Sequence, residues 1–243
     1  EKSLRGAKRL GWLARPAYQS LSSVIAQTFA DGARLRQLGA PVQAVLGNIK
    51  FDVQPDSDQL AQGARWAQAA GKPIAMLASS REGEEQMWLD ALVQKQPEMT
   101  KGSAVAATKS EAVAAQGVQW LIVPRHPQRF DEIEQLLTEA GLTVSRRSQW
   151  QGAPTPADVW LGDSMGEMQM YYGMADVALL GGSFAPLGGQ NLIEAAACAC
   201  PVVMGPHTFN FAQAAEASAA AGAALRVADL AEGVEVAVAI ATN

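Results

Sequence analysis

The chain has 243 residues, room for one large α/β domain or for one domain with part of another. Hydrophobic residues make up 49% and charged residues 18%, the proportions of a globular protein with a real core. A formal net charge of −5 argues against general nucleic-acid binding, and no apolar run is long enough to span a bilayer.

The charge is uneven. Residues 1–15 carry Lys2, Arg5, Lys8, Arg9 and Arg15 against Glu1 alone, a net +4 that leaves −9 on the rest of the −5 chain. Such a segment is either a solvated helix face or a surface that meets something anionic. Cys198 and Cys200 lie one residue apart in an Ala-rich helical run, a spacing that turns them to different faces. That suits neither a disulfide nor a metal pair, and free thiols fit a reducing compartment. No signal peptide opens the chain and residue 1 is not Met, so the sequence reads as a fragment of a longer protein.

Residues 3–38 read as a helix, a short apolar run from Val24 to Ala26, and a second helix; 42–46 reads as another strand. Gly47 to Asp58, with Pro55, has linker chemistry. Residues 1–50 are therefore expected to end one domain and cross into a second, 51–243, whose last helix is cut short. From residue 72 on, short β-rich runs at 73–78, 119–123, 158–162, 176–180, 201–204 and 223–227 recur, with a further short strand at 142–146. They alternate with helical spacing over 82–95, 128–140, 165–174, 190–199, 209–221 and 230–241. Strand runs that are apolar throughout mean both sheet faces are covered, and strand–helix alternation means right-handed βαβ units in a doubly wound parallel sheet. Residues 97–118, rich in Ala, Ser, Thr and Lys, read as a mobile insertion with some helical tendency.

Such sheets place ligands in the turns after the carboxyl ends of their strands. Four turns stand out. Ser79 with Glu82 fits a capping box, and the acidic cluster through Glu85 suits a helix start. Pro124-Arg125-His126-Pro127 pushes two cation-capable side chains over the sheet edge, suited to a phosphate or carboxylate or simply solvated. Ser164-Met165-Gly166-Glu167 is a second S-x-x-E box, with Gly166 placed oddly in a first helical turn unless something must approach its backbone. Finally, Gly181-Gly182-Ser183 and Gly188-Gly189 precede a helix that Asn191 caps, with Glu194 three residues on. Paired glycines before a helix start let a phosphate reach free N–H groups, although the pattern is not the dinucleotide fingerprint. Glu194 could accept from ribose hydroxyls there. Taken alone, Lys50 reads as a solvated surface residue and His207 as a loop histidine; Met168, Met170 and Met174 read as helix packing, and no metal-ligating set is evident.

Gly47-Asn48-Ile49-Lys50-Phe51-Asp52, Glu82-Gly83-Glu84-Glu85, Pro124 to Pro127, Gly162 to Glu167 and the block Gly181 to Phe211 follow one another in the order and wording of a single family. The chain resembles the 3-deoxy-D-manno-octulosonic acid (Kdo) transferases from end to end. The resemblance implies a GT-B glycosyltransferase of two Rossmann-like domains, acceptor on the N-terminal and donor on the C-terminal one. It implies inverting transfer of Kdo from CMP-Kdo to a lipid A precursor at the cytoplasmic face of the inner membrane, reached through the N-terminal part of the parent protein.

By that resemblance Pro124 and Arg125, then Met165, Gly166 and Glu167, then Asn191, Leu192, Ile193 and Glu194 contact CMP, and Lys50 is the lysine that stabilises the transition state. Negative charge grows on the phosphate as CMP departs, and Arg125, Lys50 and the helix start at Asn191 are donors suited to it. The resemblance calls for no metal or other cofactor. Gln190 stands where a histidine is usual, and Ser80-Arg81 where Thr-His is common. The family's general base is a carboxylate of the acceptor half, outside these residues, so the chain is expected to bind CMP without turnover. The competing expectations are another GT-B transferase or epimerase, and a non-catalytic nucleotide-binding module.

Overall fold

The computed structural model describes residues 2–47, 49–94 and 108–243, without the side chains of 2, 3, 49, 50, 93 and 94. The chain forms two compact units, Glu1–Val53 and Gln54–Asn243.

In the first unit, helices α1 (Lys2–Arg9) and α2 (Gly11–Gln19) lead into β1 (Val24–Ala26), α3 (Phe29–Gln37) and β2 (Val42–Val45). β1 and β2 pair in parallel, with α3 as the crossover. Thr28 caps α3 by accepting from Asp31 N at 3.0 Å, and Gly32 lets the helix settle onto Ala26 and Val45. A short 3₁₀ turn, Ile49–Asp52, closes the unit.

The second unit runs α4 (Ser57–Ala70), β3 (Ile74–Ser80), α5 (Glu84–Gln94), α6 (Lys109–Ala115), β4 (Gln119–Pro124), α7 (Phe130–Glu139), β5 (Val144–Arg146) and β6 (Val159–Leu161). It continues α8 (Met168–Met174), β7 (Val177–Leu180), α9 (Leu192–Ala197), β8 (Val202–Met204), α10 (Ala212–Ala220), β9 (Ala224–Arg226) and α11 (Leu230–Thr242). Its sheet has seven strands in the order β5-β6-β4-β3-β7-β8-β9, every neighbouring pair parallel. The expected doubly wound parallel sheet is present, and its strands fall on the seven anticipated apolar runs.

Both faces of the sheet are buried, which is why those runs do not alternate with polar residues. Ile74, Met76 and Ala78 of β3 face a layer containing Trp66, Met170, Tyr171 and Ile193. Ala75 and Leu77 face the opposite layer, with Trp88, Leu89, Ile133 and Val234.

Two expectations are corrected. α4 occupies sequence read as linker and left unassigned. Asp56 starts it by accepting from Asp58 N (2.9 Å) and Gln59 N (3.2 Å), and Gly71 ends it in the left-handed region at φ +67°. Its polar Gln59, Gln62 and Gly63 hid the helical pattern. Gly63 is there for contact: a Cβ would lie 2.2 Å from Met170 O, so α4 and α8 meet almost backbone to backbone. The described part of the 97–118 segment is an ordered helix, α6, held by a full Thr108–Glu111 capping box, while 95–107 lie outside the described residues.

Candidate functional site

From β3 the chain winds outward on one side through β4, then returns to build β7, β8 and β9 on the other. The reversal puts a crevice at the carboxyl ends of β3 and β7, where open α/β sheets bind ligands. All four turns singled out in the sequence border this edge.

The two presumed capping boxes are not caps. Ser79 has a left-handed backbone (φ +54°) and α5 begins only at Glu84. Glu84, wholly buried, accepts instead from Arg81 N (2.9 Å), Gly182 N (2.7 Å), Phe184 N (3.1 Å) and Ala185 N (3.3 Å). Burial pushes its carboxyl up, and the four N–H donors work against that rise. Glu85, also buried, takes Ser80 Oγ (2.6 Å) and a bidentate Arg129 pair, both bonds at 3.0 Å. The acidic cluster is therefore an internal anchor. The Gly182, Phe184 and Ala185 partners of Glu84 lie about a hundred positions away in the chain, beyond what local spacing reveals.

In the second box the helix starts at Met168, and Ser164 bonds the side chain of Glu167 together with Tyr171 Oη, the latter at 2.5 Å. Gly166 thus precedes the helix. Its φ of +79° is reason enough for glycine, and the space beside its Cα is open. Met165 is 62% exposed at the tip. The Glu167 carboxylate is engaged on both oxygens, one with Ser164 and the other with Arg147 at 2.8 Å. Arg147 lies 4.9 Å over the Trp66 ring. Beneath the turn, buried Asp163 accepts from Ser148 N (2.8 Å), Ser148 Oγ (2.6 Å) and Arg146 Nε (2.6 Å). Burial works to raise that carboxyl, but Ser148 and Arg146 outweigh it and hold it below the usual range.

The glycine loop is tightly self-engaged. A Cβ on Gly181 would lie 2.2 Å from Ser79 O, and one on Gly188 2.3 Å from Asn210 Nδ2. These glycines serve close packing, and three of the loop's N–H groups, those of Gly182, Phe184 and Ala185, are spent on Glu84. Asn191 does cap α9, accepting from Ile193 N at 3.2 Å. Leu192 and Ile193 are buried in the core, so any contact they make at the crevice is through the main chain.

Glu194, on α9, and Arg125, after β4, belong to the same sheet edge. Arg125 is exposed, with its N–H on Ser80 O at 3.0 Å, and among the described residues its guanidinium has no ion-pair or hydrogen-bond partner. Half-buried Glu194 is pushed up by burial, against a hydrogen bond from Gln169 and the charge of Arg125. Pro124 is the buried last residue of β4, and His126 starts the 3₁₀ turn Pro127–Arg129. Burial pushes the Cys198 thiol up to about 11 and Cys200 to about 12, so neither is a ready thiolate. The main chain of Lys50 lies in the 3₁₀ turn Ile49–Asp52; its side chain lies outside the described residues. Residues that sequence reasoning missed are Arg147, Gln59 and Gln169, which bond Glu167, the main chain of Gly166 and Met170, and the main chain of Asp56.

The fold superposes on the C-terminal CMP-Kdo binding domain of WaaA from Acinetobacter baumannii with a TM-score of 0.64 and 28% identity, over 76% of this chain and 90% of that one. A seven-stranded parallel sheet of this order, with its ligand edge so lined, makes the second unit a C-terminal domain of the GT-B glycosyltransferase class. Residues 1–53 match the family model described as 3-Deoxy-D-manno-octulosonic-acid transferase (kdotransferase). The chain is 50% identical to a 3-deoxy-D-manno-octulosonic acid transferase of Bordetella pertussis over 93% of its own length and 50% of the relative's. It is 33% identical to that of Haemophilus influenzae over 86% of its length and 47% of the relative's. The chain belongs to the Kdo transferase family and spans about half the length of these curated relatives.

Proposed function

We propose that the protein carrying this chain moves Kdo from CMP-Kdo to a lipid A precursor with inversion, and that the second unit supplies the donor site. The observation that carries the reading is that Arg125, the Met165–Glu167 turn and Glu194 all follow the carboxyl ends of strands along one edge of the sheet, after β4, β6 and β7. An unpaired guanidinium suits a phosphate, and a carboxylate beside it suits ribose hydroxyls. The likeness to a solved CMP-Kdo binding domain supports the same ligand.

In this reading Arg125 stabilises the charge that grows on the departing CMP phosphate, and the family resemblance gives Lys50 the role of the lysine that stabilises the transition state. Pro124 and the main chain of Met165, Gly166, Asn191, Leu192 and Ile193 shape the nucleotide's bed. Glu167 holds its turn rather than the ligand, since Ser164 and Arg147 already take both its oxygens. The general base belongs to the acceptor half, so residues 1–243 bind CMP and transfer no Kdo by themselves. The basic α1, followed by exposed Trp12 and Leu13, fits a place beside anionic lipid on the cytoplasmic side of the inner membrane.

Calorimetric titration of the chain with CMP, UMP and UDP tests the donor assignment. CMP is expected to bind most tightly; a preference for either uridine nucleotide overturns it.

A further inference from the structure

β3 does not end as a regular strand. It sets Ala78 opposite Val123 and Ser80 opposite Pro124, so Ser79 is the extra residue of a bulge, held in the left-handed region at φ +54°. A regular ladder would bring Ser80 level with Arg125. The bulge advances the chain by one residue and brings Arg81 there instead, and Arg125 N donates to Ser80 O at 3.0 Å across the two strand ends. Neighbouring strands lie about 4.8 Å apart, so the two arginines stand side by side at the sheet edge. On the other side of β3, at the end of β7, Gly182 has no side chain. Arg81 Cγ and Gln190 Nε2 close over it, 3.5 and 3.2 Å from where a Cβ would stand.

The main chain of Arg81 is fixed, with its N–H on buried Glu84 at 2.9 Å and its carbonyl accepting from Glu84 N at 3.0 Å. Its Nε donates to the exposed Glu82 carboxylate at 3.0 Å. Among the described residues, Nη1 and Nη2 have no hydrogen-bond or ion-pair partner, and neither has the Gln190 amide. Adjacent guanidiniums repel, and one exposed carboxylate offsets little of that. A left-handed serine that sets two like charges together is strain of the kind found at ligand sites.

We propose that Arg81, with the Gln190 amide beside it, takes the carboxylate of the donor sugar while Arg125 takes the phosphate, so that this edge selects a nucleotide-linked sugar acid over a neutral sugar. The proposal rests on the reading of the edge as a CMP-Kdo site. In CMP-Kdo one carbon, the anomeric one, bears both the carboxylate and the phosphate oxygen. The ligand thus presents two anions side by side, and the bulge presents two cations side by side. The free Nη pair offers the planar fork that a carboxylate fits, and the amide adds a neutral donor. The other arginines around these turns are already held: Arg129 by Glu85, Arg146 by Asp163 and Arg147 by Glu167.

The test is calorimetric titration of the chain and its variants with CMP and with CMP-Kdo, with thermal melting to show that each variant folds. Arg81→Met keeps the stem against Gly182 and removes the guanidinium. It is expected to weaken CMP-Kdo about tenfold more than it weakens CMP, the order of one charge-assisted hydrogen bond. Arg81→Lys keeps the charge without the fork and is expected to restore part of that difference. Gln190→Leu is expected to weaken CMP-Kdo about threefold more than CMP. Arg125→Ala is expected to weaken both ligands alike, since both carry the phosphate. Equal losses of the two ligands in Arg81→Met, or no loss of either, overturn the proposal and leave the donor reading standing. If the parent chain prefers uridine nucleotides, the donor reading fails and takes the proposal with it.

Discussion

The loop Gly181–Gln190 and the turn Ser164–Glu167 stand on the same sheet edge and look alike in sequence, each with glycine before a helix. In space they are opposites. The first is consumed by the protein: Glu84 collects three of its N–H groups, and Gly181 presses against Ser79. The second is held from below by Arg147 and Ser164, while its tip, Met165 and Gly166, stays open. Glycine therefore marks two different demands, close packing in one place and a left-handed turn under open space in the other.

Substitutions can break this contrast. Gly181→Ala sets a methyl group 2.2 Å from a backbone oxygen that cannot rotate away, and the expected cost is about 3–5 kcal/mol in urea unfolding. A loss below about 1 kcal/mol would show that the loop can yield. Glu84→Gln turns an amide NH₂ toward donors that need an acceptor. Its expected cost is about 2–4 kcal/mol, with faster hydrogen exchange at Gly182, Phe184 and Ala185. Arg125→Ala should behave in the reverse way: an unchanged melting temperature, but CMP binding about tenfold to a hundredfold weaker. Binding that survives intact would remove the phosphate from this edge.

The smallest effect is one of pH. The native Asp163 carboxyl is held below its ordinary value of about 4, so the unfolded chain takes up its proton first as pH falls. The stability contributed by Asp163 is full above that ordinary value and is lost as pH drops through the lower folded one. Asp163→Asn is expected to cost about 1–2 kcal/mol at pH 7 and progressively less below pH 4. Melting curves of the variant and parent that stay equally spaced from pH 7 to pH 3 would contradict this.

Much of the fold was legible because parallel, doubly covered strands announce themselves as short apolar runs, and all seven of the second unit did so. α4 did not, since its Gln59 and Gly63 look toward α8 and the Ser164–Glu167 turn rather than into an apolar core. The turns that border the crevice were legible from their position after strands. What each residue does there was not. Ser79 and Glu82 have the spacing of a cap, but a left-handed Ser79 cannot begin a helix, and the neighbouring Glu84 answers to residues about a hundred positions on. Gln169 carries no local signal at all, because its partner, the main chain of Asp56, comes from another element.

Arg147 links the open turn to an aromatic cluster. One end of it grips Glu167, and its guanidinium lies over Trp66 and, at 5.9 Å, Trp150, whose rings meet edge to face at 5.4 Å. Any ligand that shifts Glu167 tugs a cation across two indole faces, and indole emission responds strongly to a nearby charge. The molecule therefore carries its own optical gauge: the glow of two buried tryptophans reads out the state of a turn that contains neither of them.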